Sequence, residues 1–324
     1  MNHLLPLQQF KEQFSYEPHI LNEQLESYDH FVVIGMGGSM TCAFLLKAMF
    51  PEISLTVHSD YGLPPEAHRH DSHTRTLFIC NSYSGNTEET LDACQELIWK
   101  KLPLAIVTCG GALAEQAVSN TVQHILLPKT ELEPRFAIGY QMIAMLALMK
   151  NSKALHSLKS QASYIDNRPA DELGKRLSNE LHDRSIIMYT SARNHALAYM
   201  VKAALNEGAK VPAFCNVFSE ANHNELEIFA HMQASQKNEY VVLFFEDKKD
   251  HKRIQDRMSI CTDMFKEMRI KTAHFPIQSE TVQSTLTSLL AGYYTSTYLA
   301  LLKHAEPYKT PCIGKFKELL SKKK

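Results

Sequence analysis

Thr76-Leu77-Phe78-Ile79-Cys80-Asn81-Ser82-Tyr83-Ser84-Gly85-Asn86-Thr87-Glu88-Glu89-Thr90-Leu91 is the stretch on which the fold of this chain turns. An apolar, β-favouring run stops at a cluster of hydroxyls around one glycine. A helical pattern follows at once, with Leu91, Cys94, Leu97 and Ile98 at helix spacing. Such a strand-to-helix junction is an anion cradle, because the first N–H groups of a helix lack partners within it and point at whatever lies above them. Ser82, Ser84 and Thr87 add hydroxyl donors, and Gly85 lets the backbone come close. The loop holds no Lys or Arg, so a phosphate bound there is held by neutral donors. Ordinary capping, with Asn86 as N-cap and Glu89 as its box partner, is the plainer reading of the same residues. Three aliphatic hydroxyls between Ser82 and Thr87 exceed what a cap needs.

Working outward, the first half alternates strand and helix signals. His30 to Gly35 is an apolar run, and Met40 to Phe50 reads as a helix with Ala43, Leu46 and Met49 on one face. Ile53–His58, Thr76–Asn81, Leu104–Thr108 and Val122–Leu127 read as further strands, with helices after the third and fourth. Five strands alternating with helices predict a doubly wound α/β layer with a mainly parallel sheet, whose ligands sit at the carboxyl ends of the strands. Gly35–Ser39 and Ser82–Thr87, the two Gly/Ser junctions, lie there. The second half repeats the alternation, with strands expected at Ser185–Thr190, Tyr240–Glu246 and Thr272–Ile277 and a long helix over Thr281–Lys303. It carries no Ser/Gly-rich junction, so the two halves are not expected to do the same job. Domains are expected at 1–151 and 166–324, with a linker at about 152–165, where the pattern turns polar before Asn167-Arg168-Pro169.

Bulk properties narrow the function. The 324 residues are 44 % apolar and 21 % charged, so a large globular core is available. A net charge of −1 supplies no field for nucleic acid or acidic membranes. The seven cysteines are scattered, odd in number and without a Cys-x-x-Cys pair, which points to a reducing compartment. No basic region followed by an apolar core marks a signal peptide, and the longest apolar run, Ile138 to Met149, is too short to span a bilayer. A soluble cytoplasmic protein with no membrane or nucleic-acid partner is expected. The spacing of His223, Glu227 and His231 suits a metal only if one continuous helix carries all three. His68, His70 and His73 read as a solvated polar loop, and Met142, Met145 and Met149 as core packing.

Gly35-Met36-Gly37-Gly38-Ser39 follows the first strand, and Met40 stands where a dinucleotide fingerprint needs its third glycine. Together with Ser82-x-Ser84-Gly85-x-Thr87, Gly37-Gly38-Ser39 resembles the sugar isomerase (SIS) domain, a phosphosugar-binding fold. Asp60-Tyr61-Gly62-Leu63-Pro64, Gly110-Gly111-Ala112-Leu113-Ala114 and Glu133-Pro134-Arg135-Phe136-Ala137-Ile138-Gly139-Tyr140 extend the likeness. So do Asn206-Glu207-Gly208-Ala209-Lys210-Val211-Pro212-Ala213-Phe214 and Glu220-Ala221-Asn222-His223-Asn224-Glu225. In this order they resemble the bifunctional phosphoglucose/phosphomannose isomerase family. The chain departs from that pattern at Tyr199-Met200-Val201-Lys202, where the family reads Arg-Trp-Lys. It departs again at Glu306-Pro307-Tyr308-Lys309-Thr310-Pro311, which looks like an insertion, and at Ser219-Glu220-Ala221.

The resemblance implies two SIS-type doubly wound domains, no metal or organic cofactor, and aldose–ketose isomerisation of glucose 6-phosphate, and of mannose 6-phosphate, with fructose 6-phosphate. That chemistry moves a proton between C1 and C2 of an open-chain sugar. It needs a carboxylate over both carbons and a cation or donor for the enediolate oxygen. By resemblance Glu207 is the base and Arg135 stabilises the enediolate. His223 opens the ring from the partner subunit of a homodimer, Lys317 exchanges a proton with the ring oxygen or O5, and Thr310 lies near C3 and C4. Gly38, Ser39, Ser82, Ser84 and Thr87 hold the phosphate. The plainer expectations are a solvated Glu207 paired with Lys210, an Arg135 paired with Glu131 or Glu133, a polar loop around His223, and a Lys317 that is one of several surface lysines. Two rival functions stand beside the isomerase: a non-catalytic sugar-phosphate sensor, and an isomerase of another phosphosugar.

Overall fold

The computed structural model describes residues 3–68, 75–130 and 132–323. Two compact units make up the chain, one of Gln9–Ile165 and one of Met1–Gln8 with Asp166–Lys324. The division therefore differs from the expected 1–151 and 166–324. The first residues belong with the second half, and the stretch expected as linker is helix. Asn151 starts that helix, Ser152–Ala162, by accepting a hydrogen bond from the Ala154 N–H at 3.0 Å. Ala154, Leu158 and Ala162 bury one face of it. The polar residues that suggested a linker are its outer face.

In the first unit, strands β1 (His30–Ile34), β2 (Leu55–His58), β3 (Thr76–Asn81), β4 (Leu104–Thr108) and β5 (Gln123–Leu126) form one parallel sheet in the order β2-β1-β3-β4-β5. The central strands are apolar along most of their length because helices cover both faces. Val32, Ile34, Phe78, Cys80 and Ile106 meet Leu97 and Leu113 of the helices Glu88–Trp99 and Gly111–Ser119. The helix Ile138–Leu148 is buried nearly all round, Met142 and Met145 included, with Met149 buried just beyond it, so these methionines are core.

In the second unit, β6 (Ser185–Ser191), β7 (Ala213–Phe218), β8 (Tyr240–Asp247) and β9 (Lys271–Ile277) form a parallel sheet in the order β7-β6-β8-β9. Sequence patterning missed β7. It is an edge strand that begins after Pro212, leaves Phe214 and Asn216 exposed, and lacks a continuous apolar run. Behind the sheet, Asn167–Leu181 packs along Val282–Leu302. Gly174 allows the close approach, since a Cβ there would lie 2.4 Å from Cβ of Tyr294.

His223 ends the 3-10 turn Glu220–His223, Asn224 is non-helical, and the next helix runs Leu226–His231. His223, Glu227 and His231 thus share no continuous helix, and no metal-holding group of three or more His, Cys, Asp or Glu occurs among the described residues. His68 is exposed at the end of the turn Pro65–His68, while His70 and His73 lie outside the described residues, as do Glu131 and Lys324. Among the described residues no helix is long and apolar enough to cross a membrane.

Candidate active site

The strand order reverses direction between β1 and β3, and in open α/β sheets that switch point is where ligands bind. The two hydroxyl-rich junctions flank it. Gly35 closes β1, where a Cβ would lie 2.6 Å from the Asn81 carbonyl oxygen at the end of β3. The helix Gly37–Met49 then starts with Gly37 at φ +54°, a left-handed turn that suits glycine. Ser39 is 4 % exposed, and its Oγ accepts a hydrogen bond from the Tyr83 N–H at 3.2 Å, which locks the two junctions together.

On the β3 side, Ser82 Oγ and Thr87 Oγ1 are 2.9 Å apart, and the Gly85 N–H donates to Ser82 Oγ at 3.2 Å. Thr87 is the N-cap of Glu88–Trp99, yet its side chain makes no capping bond to that helix. Nor does the capping box form. Asn86 instead accepts from the Ala112 N–H at 3.1 Å, at the start of the neighbouring helix Gly111–Ser119. The hydroxyls of this loop are therefore not consumed by capping their own helix. Gly85, at φ +70°, is pressed on the next junction, where a Cβ would fall 1.8 Å from the Gly110 carbonyl oxygen. Ser84 is exposed and Thr87 half-buried. Burial raises the Tyr83 phenol to about 12, so its hydroxyl stays protonated beside Thr130 Oγ1, 2.8 Å away.

Arg135 meets the same junction because Gly38 has no side chain. A Cβ on Gly38 would lie 3.0 Å from both N and Cα of Arg135. Arg135 is 7 % exposed, and its guanidinium sits 4.9 Å from the Phe136 ring centroid and 3.8 Å from the Glu133 carboxylate. The expected pairing with Glu133 is thus real but long, while Glu131 is outside the described residues. Two buried glutamines hold the loop. Gln13 donates to the Phe136 carbonyl at 2.8 Å and accepts from the Gly139 N–H at 3.0 Å. Gln141 donates to the carbonyls of Pro134 and Ala137, both at 3.2 Å. Sequence patterning missed Gln13, since one glutamine in a polar N-terminal stretch carries no signal of a partner more than a hundred residues on.

In the second unit the helix His195–Ala204 widens into a single π turn, Leu205–Ala209, that carries Glu207. Ser296 anchors this turn, donating to the Ala204 carbonyl at 2.6 Å. Gly208 fits beside it, where a Cβ would lie 2.5 Å from Ser296 Oγ. Lys210, at φ +56°, donates from its ammonium to the main-chain carbonyls of Glu207 and, at 2.6 Å, of Lys309. The Glu207 turn is thereby tied to Lys309, the residue before the half-buried Thr310. Thr310 starts the helix Pro311–Ser321, none of whose residues is buried. Lys317 is exposed on it, and among the described residues its ammonium makes no hydrogen bond or ion pair with Glu207 or Thr310. His223 is exposed on the turn after β7.

The switch point of the second sheet, between β6 and β8, is filled from within. Arg193 Nη1 donates to Asp247 Oδ2 at 3.0 Å, Ser191 Oγ to Asp250 Oδ1 at 2.7 Å, and Asn194 Nδ2 to the two carboxylates at 3.1 and 3.3 Å. Where the first unit's switch point is lined by hydroxyls, the second supplies carboxylates of its own.

Residues 170–320 match the family model described as the bacterial phospho-glucose isomerase C-terminal SIS domain. The bifunctional phosphoglucose/phosphomannose isomerase of Caldicellulosiruptor bescii is 32 % identical over 89 % of this chain and 88 % of its own length. The D-glucosamine-6-phosphate 4-epimerase of Sulfolobus acidocaldarius is 27 % identical over 65 % of this chain and 68 % of its own. Among solved structures, a hypothetical protein from Thermus thermophilus superposes with a TM-score of 0.72, covering 99 % of this chain and 89 % of that one at 16 % identity, a likeness of fold.

Proposed function

Because the chain belongs to the bifunctional phosphoglucose/phosphomannose isomerase family, we propose that it interconverts glucose 6-phosphate and mannose 6-phosphate with fructose 6-phosphate through a cis-enediol. The neutral cradle of Gly38, Ser39, Ser82, Ser84 and Thr87 takes the phosphate. Glu207 carries the proton between C1 and C2, and a carboxylate suits the task because it serves as base toward one carbon and acid toward the other. Arg135 stabilises the oxyanion that forms, its buried charge acting at low dielectric. His223 and Lys317 open the ring, and Thr310 faces C3 and C4. In this proposal the protein is a cytoplasmic homodimer in which His223 serves the partner's site.

The observation that most supports the reading is the absence of a side chain at Gly38. It lets the Arg135 main chain lie against the hydroxyl cradle, so that a buried cation sits beside a neutral phosphate site. A second reading, action on an aminosugar phosphate, rests on the likeness to the glucosamine-6-phosphate epimerase.

EDTA-treated protein incubated with fructose 6-phosphate in D₂O and followed by NMR tests the proposal. Glucose 6-phosphate with deuterium at C2, and mannose 6-phosphate beside it, are the expected products. Binding without turnover would leave the sensor as the better reading. Turnover of an aminosugar phosphate alone would favour the second.

A further inference from the structure

The turn that carries His223 is tied down on both sides, while its imidazole is left open. On the near side, Asn222 donates to Cys261 Sγ at 3.1 Å and accepts from Arg257 Nη1 at 3.3 Å, both on the helix Lys252–Glu267. On the far side, the Glu225 N–H closes the turn onto the Ala221 carbonyl at 3.0 Å. The Glu225 carboxylate uses both oxygens. Oε2 accepts from the Tyr189 hydroxyl at 2.8 Å, and Oε1 accepts from Asn216 Nδ2. Tyr189 lies on β6 and Asn216 on β7, so one carboxylate clamps the turn to two strands of the sheet.

Tyr189 is a rigid anchor. It is 1 % exposed, and its ring stacks on Phe218 with centroids 4.9 Å apart, beside Phe244. Burial first, and the hydrogen bond to Glu225 second, raise its phenol well above the ordinary value, so it remains a donor at any working pH. His223, between the two clamps, is exposed, and its ring makes no hydrogen bond among the described residues.

We propose that Glu225 is a positioning residue for His223, holding through Tyr189 and Asn216 the turn that delivers the imidazole to the sugar ring. This rests on the ring-opening role given to His223 above. Glu225→Gln turns two charge-assisted bonds into weaker neutral ones, because the amide can still accept from one partner and donate to the Tyr189 hydroxyl or to a flipped Asn216. Tyr189→Phe removes the hydroxyl's bond to Glu225 outright and keeps the stacked ring.

The test compares fructose 6-phosphate with 5-deoxyfructose 6-phosphate, which lacks the hydroxyl that closes the ring and stays open-chain. In Tyr189→Phe and Glu225→Gln, kcat on fructose 6-phosphate should fall about tenfold, the order of loss a misplaced catalytic group produces, with KM held within about twofold. Turnover of the open-chain ketose should stay within about twofold of the parent, which a merely structural loss would not spare. Exchange between the anomers of glucose 6-phosphate, followed by NMR, reads ring opening alone and should fall in the same proportion. His223→Ala serves as reference and should show the same selectivity with a larger loss. If His223→Ala is selective and the other two variants slow both substrates alike, or slow neither, the positioning role is overturned and the isomerase reading stands. If His223→Ala itself shows no selectivity, its ring-opening role fails and this inference fails with it.

Discussion

Glu207 sits where a helix loosens by one residue, and that local widening is what separates it from the solvated helix-end glutamate that its neighbours in sequence suggest. Its main chain is held by Lys210, while Gly208 and Ser296 hold the turn from behind. The carboxylate can therefore be changed without disturbing the backbone. In Glu207→Gln, kcat should fall by about 10²–10⁴-fold, the usual worth of a general base. Binding of fructose 6-phosphate, measured by calorimetry, should change by no more than a few-fold, because the amide keeps the size of the acid. A variant that isomerised at the parent's rate would remove Glu207 from the mechanism. At this scale the residue types were legible in the chain and their partners were not. Asn86 is a good N-cap by type, yet it caps the neighbouring helix, because the fold sets Ala112 within 3.1 Å.

At the scale of elements, the two strand-end junctions make the useful contrast. That of the first sheet is lined by hydroxyls that do not cap their own helix, and that of the second binds its own carboxylates. Asp250 is held there by Ser191 and Asn194, but burial, with the Asp247 charge adding, pushes its carboxyl above the usual range. A carboxyl with a raised folded pKa keeps its proton in the folded state to higher pH than in the unfolded chain. Between those two values, rising pH costs the folded state stability. Asp250→Asn should therefore melt above the parent at about pH 8, with the gap closing toward about pH 3, where the parent's carboxyl is largely protonated in both states. Thermal melts across that range check it, and a gap that is constant or reversed would show that the carboxylate is well solvated. Strands β1, β3 and β4 were readable as apolar runs because they are covered on both faces. Edge strand β7 was not, since half of its side chains meet solvent. The helix Ser152–Ala162 was taken for a linker because its polar outer face dominates its composition.

At the scale of the whole molecule, the proposed sharing of His223 between subunits has a consequence that no single chain shows. Glu207→Gln and His223→Ala are each expected to turn over fructose 6-phosphate far more slowly than the parent. If the histidine serves the partner's site, a mixture unfolded and refolded together forms mixed dimers with one intact site, about a quarter of the parent's activity for random pairing of two chains. A mixture that stays inactive while sedimenting as a dimer would place His223 in its own subunit's site. The chain by itself determined the α/β class, the hydroxyl-rich junctions after two strands and the family, because periodicity and short motifs are local properties that survive without the fold. Only the tertiary structure decided that Gly38 seats the Arg135 loop, that Gln13 fastens it, that Lys210 ties the Glu207 turn to the segment before Thr310, and that the second switch point is filled by Asp247 and Asp250. Each of these contacts joins residues far apart in the chain, and their distance is set by the packing of sheets and helices, which no local pattern encodes.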